Sequence, residues 1–268
     1  MRKVLLTTDF SENANEAIEY ALMLFDNESV EYYLLNSYSL LHNIPETLIS
    51  LEDILQEQSK KGLSKALSQI TRAHQKLKIE TLSVYGDPSF VIKQIANDRQ
   101  VDLVVVGSRG WTLNGALFGS TAVQLVKSIN RPMLVVPHHY KPNFPKNIVV
   151  ATDLIQIEDL KVLNTMLAIA RRFQAKITIL NVTGGEEHDQ ANQALQLLNF
   201  NDHFEGIKSR FEVVDNKDIV AGLAEYADKY QADLLVLSPK RYHNFRSMFH
   251  NSITKSVIKH SHIPVMVV

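Results

Sequence analysis

Val101-Asp102-Leu103-Val104-Val105-Val106-Gly107 is an almost unbroken apolar, β-branched run that ends in a glycine, and it returns as Ala232-Asp233-Leu234-Leu235-Val236-Leu237-Ser238. A strand apolar at every position, rather than at alternate ones, is buried on both faces, as in a parallel sheet covered by helices. Two further segments recur in the same order. Val4-Leu5-Leu6-Thr7-Thr8-Asp9 returns as Ile148-Val149-Val150-Ala151-Thr152-Asp153, and Arg131-Pro132-Met133-Leu134-Val135-Val136 as Ile263-Pro264-Val265-Met266-Val267-Val268. Offsets of 144, 131 and 132 in a chain of 268 residues describe two copies of one domain, the second shortened in its middle.

Short β-branched runs alternate with helical patterns in each copy. Strands are expected near 3–8, 30–37, 79–85, 102–107 and 133–137, and again near 147–152, 176–182, 208–214, 233–238 and 264–268. Ala14, Ala17, Ile18, Ala21, Leu22 and Phe25 form one helical face behind Ser11, a good N-cap; Val91, Ile92, Ile95 and Ala96 form another. Leu51–Leu77, with Ile54, Leu55, Leu63, Leu67 and Ile70 at three- and four-residue steps, reads as a core-facing helix. Pro132 and Pro264 each open a last strand. The expected fold is α/β: two tandem doubly wound, Rossmann-like domains at 1–140 and 146–268, each a five-stranded parallel sheet with helices on both faces. The segment from His138 to Lys146, with Pro142 and Pro145, joins them.

Composition narrows the function. A net charge of −1 lacks the basic footprint of a sequence-independent nucleic-acid binder. Without cysteine there is no disulfide, thiolate metal site or Cys nucleophile. The apolar run after Arg2-Lys3 stops at Thr7-Thr8-Asp9, too short for a signal peptide, and no window approaches the ~18 apolar residues of a membrane span. The expectation is a cytoplasmic protein with neither nucleic-acid nor membrane partners.

In open parallel sheets a ligand sits beyond the carboxyl ends of the strands, where the strand order reverses. Thr8-Asp9-Phe10-Ser11 and the stretch from Gly107 to Ser120 follow strands 1 and 4 of the first copy. Four of the ten glycines, Gly107, Gly110, Gly115 and Gly119, fall in that second stretch, and Gly119-Ser120 opens a helix. Such a loop can aim consecutive N–H groups, a helix N-terminus and the Ser120 hydroxyl at a phosphate. It can equally be a connection that needs glycine to turn. Asp9 can be a ligand contact or a helix cap, Arg109 a phosphate contact or a solvated cation, and Trp111 a ligand cover or a packing residue.

These residues resemble the universal stress protein family over essentially the whole chain, once per copy. That family has an early Asp after strand 1, a Gly-Asp-Pro turn after strand 3, an Ala-Asp-Leu-Ile-Val-type fourth strand and a Gly-x2-Gly-x9-Gly-Ser/Thr loop. Here these read Asp9, Gly86-Asp87-Pro88, Val101–Val106 and Gly107…Gly110…Gly119-Ser120. The resemblance implies a tandem stress-response regulator whose first domain binds an adenine nucleotide (ATP, ADP or AMP, with Mg²⁺ an option). Asp9 and Ser37 would lie at the adenosine, Gly107 and Gly110 would shape the loop, and Arg109, Gly119 and Ser120 would meet the phosphates. It also implies an intramolecular pseudo-dimer, with Val265–Val268 as a sheet edge through which a homodimer could form.

Two departures mark the first copy: eight residues, not nine, separate Gly110 from Gly119, and Ser37 stands where an aliphatic side chain usually meets adenine. The second copy has Ser238-Pro239-Lys240-Arg241…Asn251-Ser252, with no glycine at the three loop positions, and Lys217-Asp218-Ile219 for Gly86-Asp87-Pro88. Asp153 and Val182 remain as counterparts of the adenosine contacts, but the second copy is expected to bind no nucleotide in the family manner. The alternative function is a nucleotide-independent interaction or scaffold protein; a slow ATP hydrolase ranks last. No catalytic residue is assigned, because no P-loop, Ser-Gly-Gly-x-Asp-Ser loop or Gly-x-Ser-x-Gly elbow occurs. His138-His139, His243, His250, His260 and His262 show no ligand spacing, so no metal site is expected.

Overall fold

The computed structural model describes residues 2–25, 29–39, 49–108, 120–151, 164–183, 204, 206–237 and 251–268. The chain forms two compact units, Met1–His139 and Tyr140–Val268. Unit 1 runs β1 (Arg2–Thr7), α1 (Glu12–Phe25), β2 (Val30–Tyr38), α2 (Ile49–Ala73), β3 (Lys78–Tyr85), α3 (Pro88–Asp98), β4 (Leu103–Gly107), α4 (Ser120–Ser128) and β5 (Met133–Val136). Unit 2 contains β6 (Asn147–Ala151), α5 (Asn164–Phe173), β7 (Lys176–Val182), β8 (Ser209–Val214), α6 (Ile219–Lys229), β9 (Leu234–Leu237), α7 (Asn251–His260) and β10 (Val265–Val267).

All ladder pairs within each unit are parallel. Unit 1 orders its strands β3-β2-β1-β4-β5, and unit 2 orders them β10-β9-β6-β7-β8. In each, the order reverses between the first and fourth strands, at β1/β4 and β6/β9. The inner strands are buried as their composition requires: Val4, Leu5, Leu6, Leu103 and Val104 are inaccessible to solvent, as are Val150, Leu234 and Val236. On α1 the six apolar positions of the expected face are all buried. Helix α2 differs from expectation at its start. Leu63 and Ala66 reach the core, whereas Ile54 is 47% exposed, so the inward face belongs to the later turns.

The duplicated aspartates have a structural cause. Asp102 Oδ2 accepts the Lys3 N–H at 2.8 Å, and Asp233 Oδ2 accepts those of Lys146 and Asn147 at 2.8 and 2.9 Å. Each carboxylate thus ties the start of the fourth strand to the start of the first. Pro132 and Pro264 give up a donor but keep the ladder, their carbonyls accepting from Val104 and Leu235 at 2.9 and 3.0 Å. Helices α3 and α6 end alike, on a left-handed glutamine (Gln100, φ 52°; Gln231, φ 49°). The next residue's N–H returns to the carbonyl five back, Val101 to Ala96 and Ala232 to Ala227.

Candidate ligand crevice and its neighbourhood

The carboxyl ends of β1, β2 and β4 bring Asp9, Ser37 and Gly107 to one edge of the unit 1 sheet, with Leu6 paired to Val105 and Thr7 to Leu35. The exit of β1 is held by short polar contacts. Thr7 Oγ1 donates to the Val105 carbonyl at 2.9 Å, and the buried Asn36 Nδ2 donates to the Thr8 carbonyl at 2.7 Å. Thr8 Oγ1 accepts the Phe10 N–H at 2.9 Å. The exposed Asp9 accepts the Ser11 N–H through Oδ1 at 3.0 Å, while Ser11 Oγ accepts from Ala14 N at 3.2 Å. Ser11 therefore caps α1. Asp9 closes a turn in front of the cap, and its carboxylate stays at the solvent face of the crevice.

Phe10 follows at φ 65°, a left-handed conformation uncommon for a side chain of this size. Its ring lies on α2 at Gly62, where a Cβ would come within 2.4 Å of Cζ. The glycine in mid-helix thus makes room for the aromatic ring at the β1 exit. Neither residue stands out in the sequence, because the partners lie 52 positions apart.

Gly107 is a strand residue with a packing cause. A Cβ there would stand 2.7 Å from Asn13 Oδ1 and 3.2 Å from the Asn13 backbone carbon. Asn13, 2% exposed, uses Nδ2 to reach Glu16 Oε2 at 3.1 Å and the Val136 carbonyl at 3.2 Å. The next N–H, that of Ser108, goes to the Val136 carbonyl at 2.8 Å. Arg109, Gly110 and Gly119 lie outside the described residues. Ser120 opens α4, with its side chain outside the description.

In unit 2, Asp153 and the segment 238–250 also lie outside the described residues. Val182, the counterpart of Ser37, is 1% exposed; its Cγ1 would be 3.0 Å from a Cβ on Gly222 in α6. The end of β7 is filled where the end of β2 is only half-buried. At the third strand, Gly86 (φ 142°), Asp87 and Pro88 form a strand-to-helix turn in which Asp87 Oδ1 accepts from Ser89 N and Phe90 N at 2.9 and 3.1 Å. Asp218 Oδ1 does the same for Val220 and Ala221 at 2.9 and 3.1 Å, so the cap outlives the loss of its glycine and proline neighbours.

Among the described residues no helix is long and apolar enough to cross a membrane. Among the described residues one cluster offers ligating atoms for a metal: it joins His138 and His139, whose spacing alone pointed to no site, to Glu16, which the sequence did not single out.

The family description "Universal stress protein family" matches residues 1–137 and again 145–268. A universal stress protein of Methanocaldococcus jannaschii is 30% identical over 152 residues, covering 50% of this chain and 94% of that protein. Universal stress protein YxiE of Bacillus subtilis is 27% identical over 146 residues, covering 50% and 97%. The crystal structure of a universal stress protein from Archaeoglobus fulgidus matches in fold with a TM-score of 0.76 at 20% identity, over 99% of this chain and 95% of that one. With both halves matched by the same family and both folded as its doubly wound sheet, the chain belongs to the universal stress protein family, as a tandem member.

Proposed function

We propose that this protein is a stress-response regulator in which unit 1 binds an adenine nucleotide at the carboxyl ends of β1, β2 and β4, and unit 2 does not bind one in that way. The observation that carries this reading is the loop Gly107…Gly110…Gly119-Ser120, which runs from the end of β4 into the N-terminus of α4. A helix N-terminus approached through glycines offers an anion unpaired N–H groups and a positive dipole end. Asp9, which is exposed, and Ser37, which is half-buried, would hold the adenosine end, and Arg109, Gly110, Gly119 and Ser120 would hold the phosphates, whose charge a Mg²⁺ ion would help to neutralise. In unit 2 the counterpart loop has Ser238, Pro239 and Asn251, and Val182 is buried. The role is regulatory binding, and rapid hydrolysis is not expected of it.

A nucleotide-independent interaction protein is the second reading. It is favoured by Gly107, whose missing Cβ is accounted for by Asn13 without any ligand. The deciding experiment is calorimetric titration of ATP, ADP and AMP into the full chain, with chromatography of what the denatured protein releases. One nucleotide per chain, lost in Gly119→Val, is expected. Wild-type protein that carries no nucleotide and gives no heat establishes the second reading instead.

A further inference from the structure

The last two residues of unit 1 and one glutamate of its first helix form a cluster that nucleotide binding does not use. One ligand atom from each of Glu16, His138 and His139 lies within 4.8 Å of the other two. Glu16 Oε2 is 3.3 Å from His138 Nδ1, and the His139 backbone N–H is shared between Glu16 Oε1 and Oε2 at 3.2 and 3.1 Å. The carboxylate is oriented from behind by the buried Asn13 Nδ2, which is itself anchored to the Val136 carbonyl. Such a buried amide plays the part of the outer-sphere partner that fixes a ligating side chain.

The backbone supplies a second, independent observation. His139 sits at φ 62°, a left-handed conformation that costs a non-glycine residue on the order of 1 kcal/mol. That conformation turns its ring onto that of His138, with centroids 3.6 Å apart and planes at 27°. Holding Glu16 requires only the His139 N–H and one His138 nitrogen. Bringing a second imidazole to the same carboxylate adds nothing to those hydrogen bonds, but it completes a set of three ligands.

We infer that Glu16, His138 and His139 form a binding site for a divalent transition-metal ion of the Zn²⁺, Co²⁺ or Ni²⁺ class, with water completing the coordination. Two imidazoles and one carboxylate suit these ions, whereas Mg²⁺ prefers an all-oxygen shell; the site is therefore distinct in chemistry from any nucleotide-bound Mg²⁺. Ligand atoms around a tetrahedral ion stand roughly 3.3 Å apart, given metal–ligand distances of about 2.0–2.2 Å. The exposed His139 ring closes the remaining gap by rotating about its side-chain bonds, exchanging the ring stack for coordination.

The test is titration of Co²⁺, and separately Zn²⁺, into the full chain in buffer free of nucleotide and Mg²⁺, read by visible absorption and calorimetry. One equivalent with ligand-field bands is expected, weakened at least about tenfold in Glu16→Gln and in His139→Asn. Asparagine keeps a residue tolerant of positive φ while removing the imidazole, and position 139 is exposed, so this variant decides the matter even if Glu16→Gln fails to fold. His260→Ala, in unit 2, is the control and leaves binding unchanged. No stoichiometric binding, or binding lost in His260→Ala and kept in His139→Asn, overturns the site. Both outcomes are independent of whether nucleotide binds.

Discussion

The two units close the same strand-to-helix corner with opposite choices of large and small residues. In unit 1 the helix supplies the bulk: Val91 of α3 fills the corner, and Gly86 at the end of β3 must lack a Cβ, which would stand 2.9 Å from Val91 Cγ2. In unit 2, Lys217 carries the side chain, and the helix position four residues after the capping aspartate is Gly222. Its missing Cβ would stand 3.0 Å from both Val182 Cγ1 and Asn216 Cβ. Volume has moved from the helix to the strand ends. The consequence falls on the ligand side of the sheet, where half-buried Ser37 in unit 1 corresponds to buried Val182 in unit 2. Loss of the glycine loop and filling of the neighbouring strand end therefore occur in the same copy.

The comparison is strained hardest at Gly107. Gly107→Ala drives a Cβ against the side chain and backbone of Asn13, and overpacking of this kind costs about 2–3 kcal/mol. Trp111 is the sole tryptophan and belongs to unit 1, so urea unfolding followed by its fluorescence reads that unit, which is expected to unfold at lower urea. An unchanged midpoint would mean that Gly107 is there for a ligand and not for packing. Next in size is Gly222→Val, at about 2 kcal/mol against unit 2, measured by hydrogen exchange resolved along the chain. Adding Val182→Ser recreates the unit 1 arrangement of Ser37 with Val91, and the pair is expected to recover at least about 1 kcal/mol of that loss. Strict additivity of the two changes would show that the corners do not exchange volume.

Where the units agree, equal effects are expected. Asp87→Ala and Asp218→Ala each leave two helix N–H groups without their acceptor and are expected to cost about 1 kcal/mol in their own unit. If only Asp87→Ala is destabilising, the cap depends on Gly86 and Pro88, and the aspartate alone does not carry it.

Strand placement was legible in the sequence because the apolar runs are continuous and duplicated: a parallel sheet buried on both faces leaves no other reading of Leu103–Val106. The aspartates of those runs were legible as motif but not as cause, since the Lys3 N–H that Asp102 binds lies 99 residues away. The same holds for the site. Asp9, Ser37 and Gly107 fall at one edge of the sheet because neighbouring parallel strands end on the same side, yet Asn13 behind Gly107 has no sequence signature. Glu16 is separated from His138 by 122 positions, so ligand spacing within the histidines alone points to nothing. Pairing across a sheet edge is a property of the fold, and local periodicity carries no record of it.

The smallest difference is expected in alkali, and it again separates the units. Tyr226 of α6 has its phenol pushed up from 10.0 to about 12, first by burial and then by its hydrogen bond to Glu212, with Arg210 Nη2 also donating to its oxygen at 3.1 Å. In unit 1 Tyr33 is raised as well, by burial and then by donating to Glu31 Oε1 at 2.7 Å. A pKa raised in the folded state means that the unfolded chain releases its proton first. The stabilisation is therefore complete below pH 10 and drains away as pH rises towards 12. For Tyr226 the loss amounts to roughly 1 kcal/mol by pH 11. Hydrogen exchange between pH 9 and 11, corrected for the intrinsic rate, is expected to show unit 2 opening progressively, with Tyr226→Phe flattening that slope and Tyr33→Phe leaving it untouched. A slope in unit 2 that survives Tyr226→Phe would place the alkaline weakness outside the Arg210–Glu212 cluster.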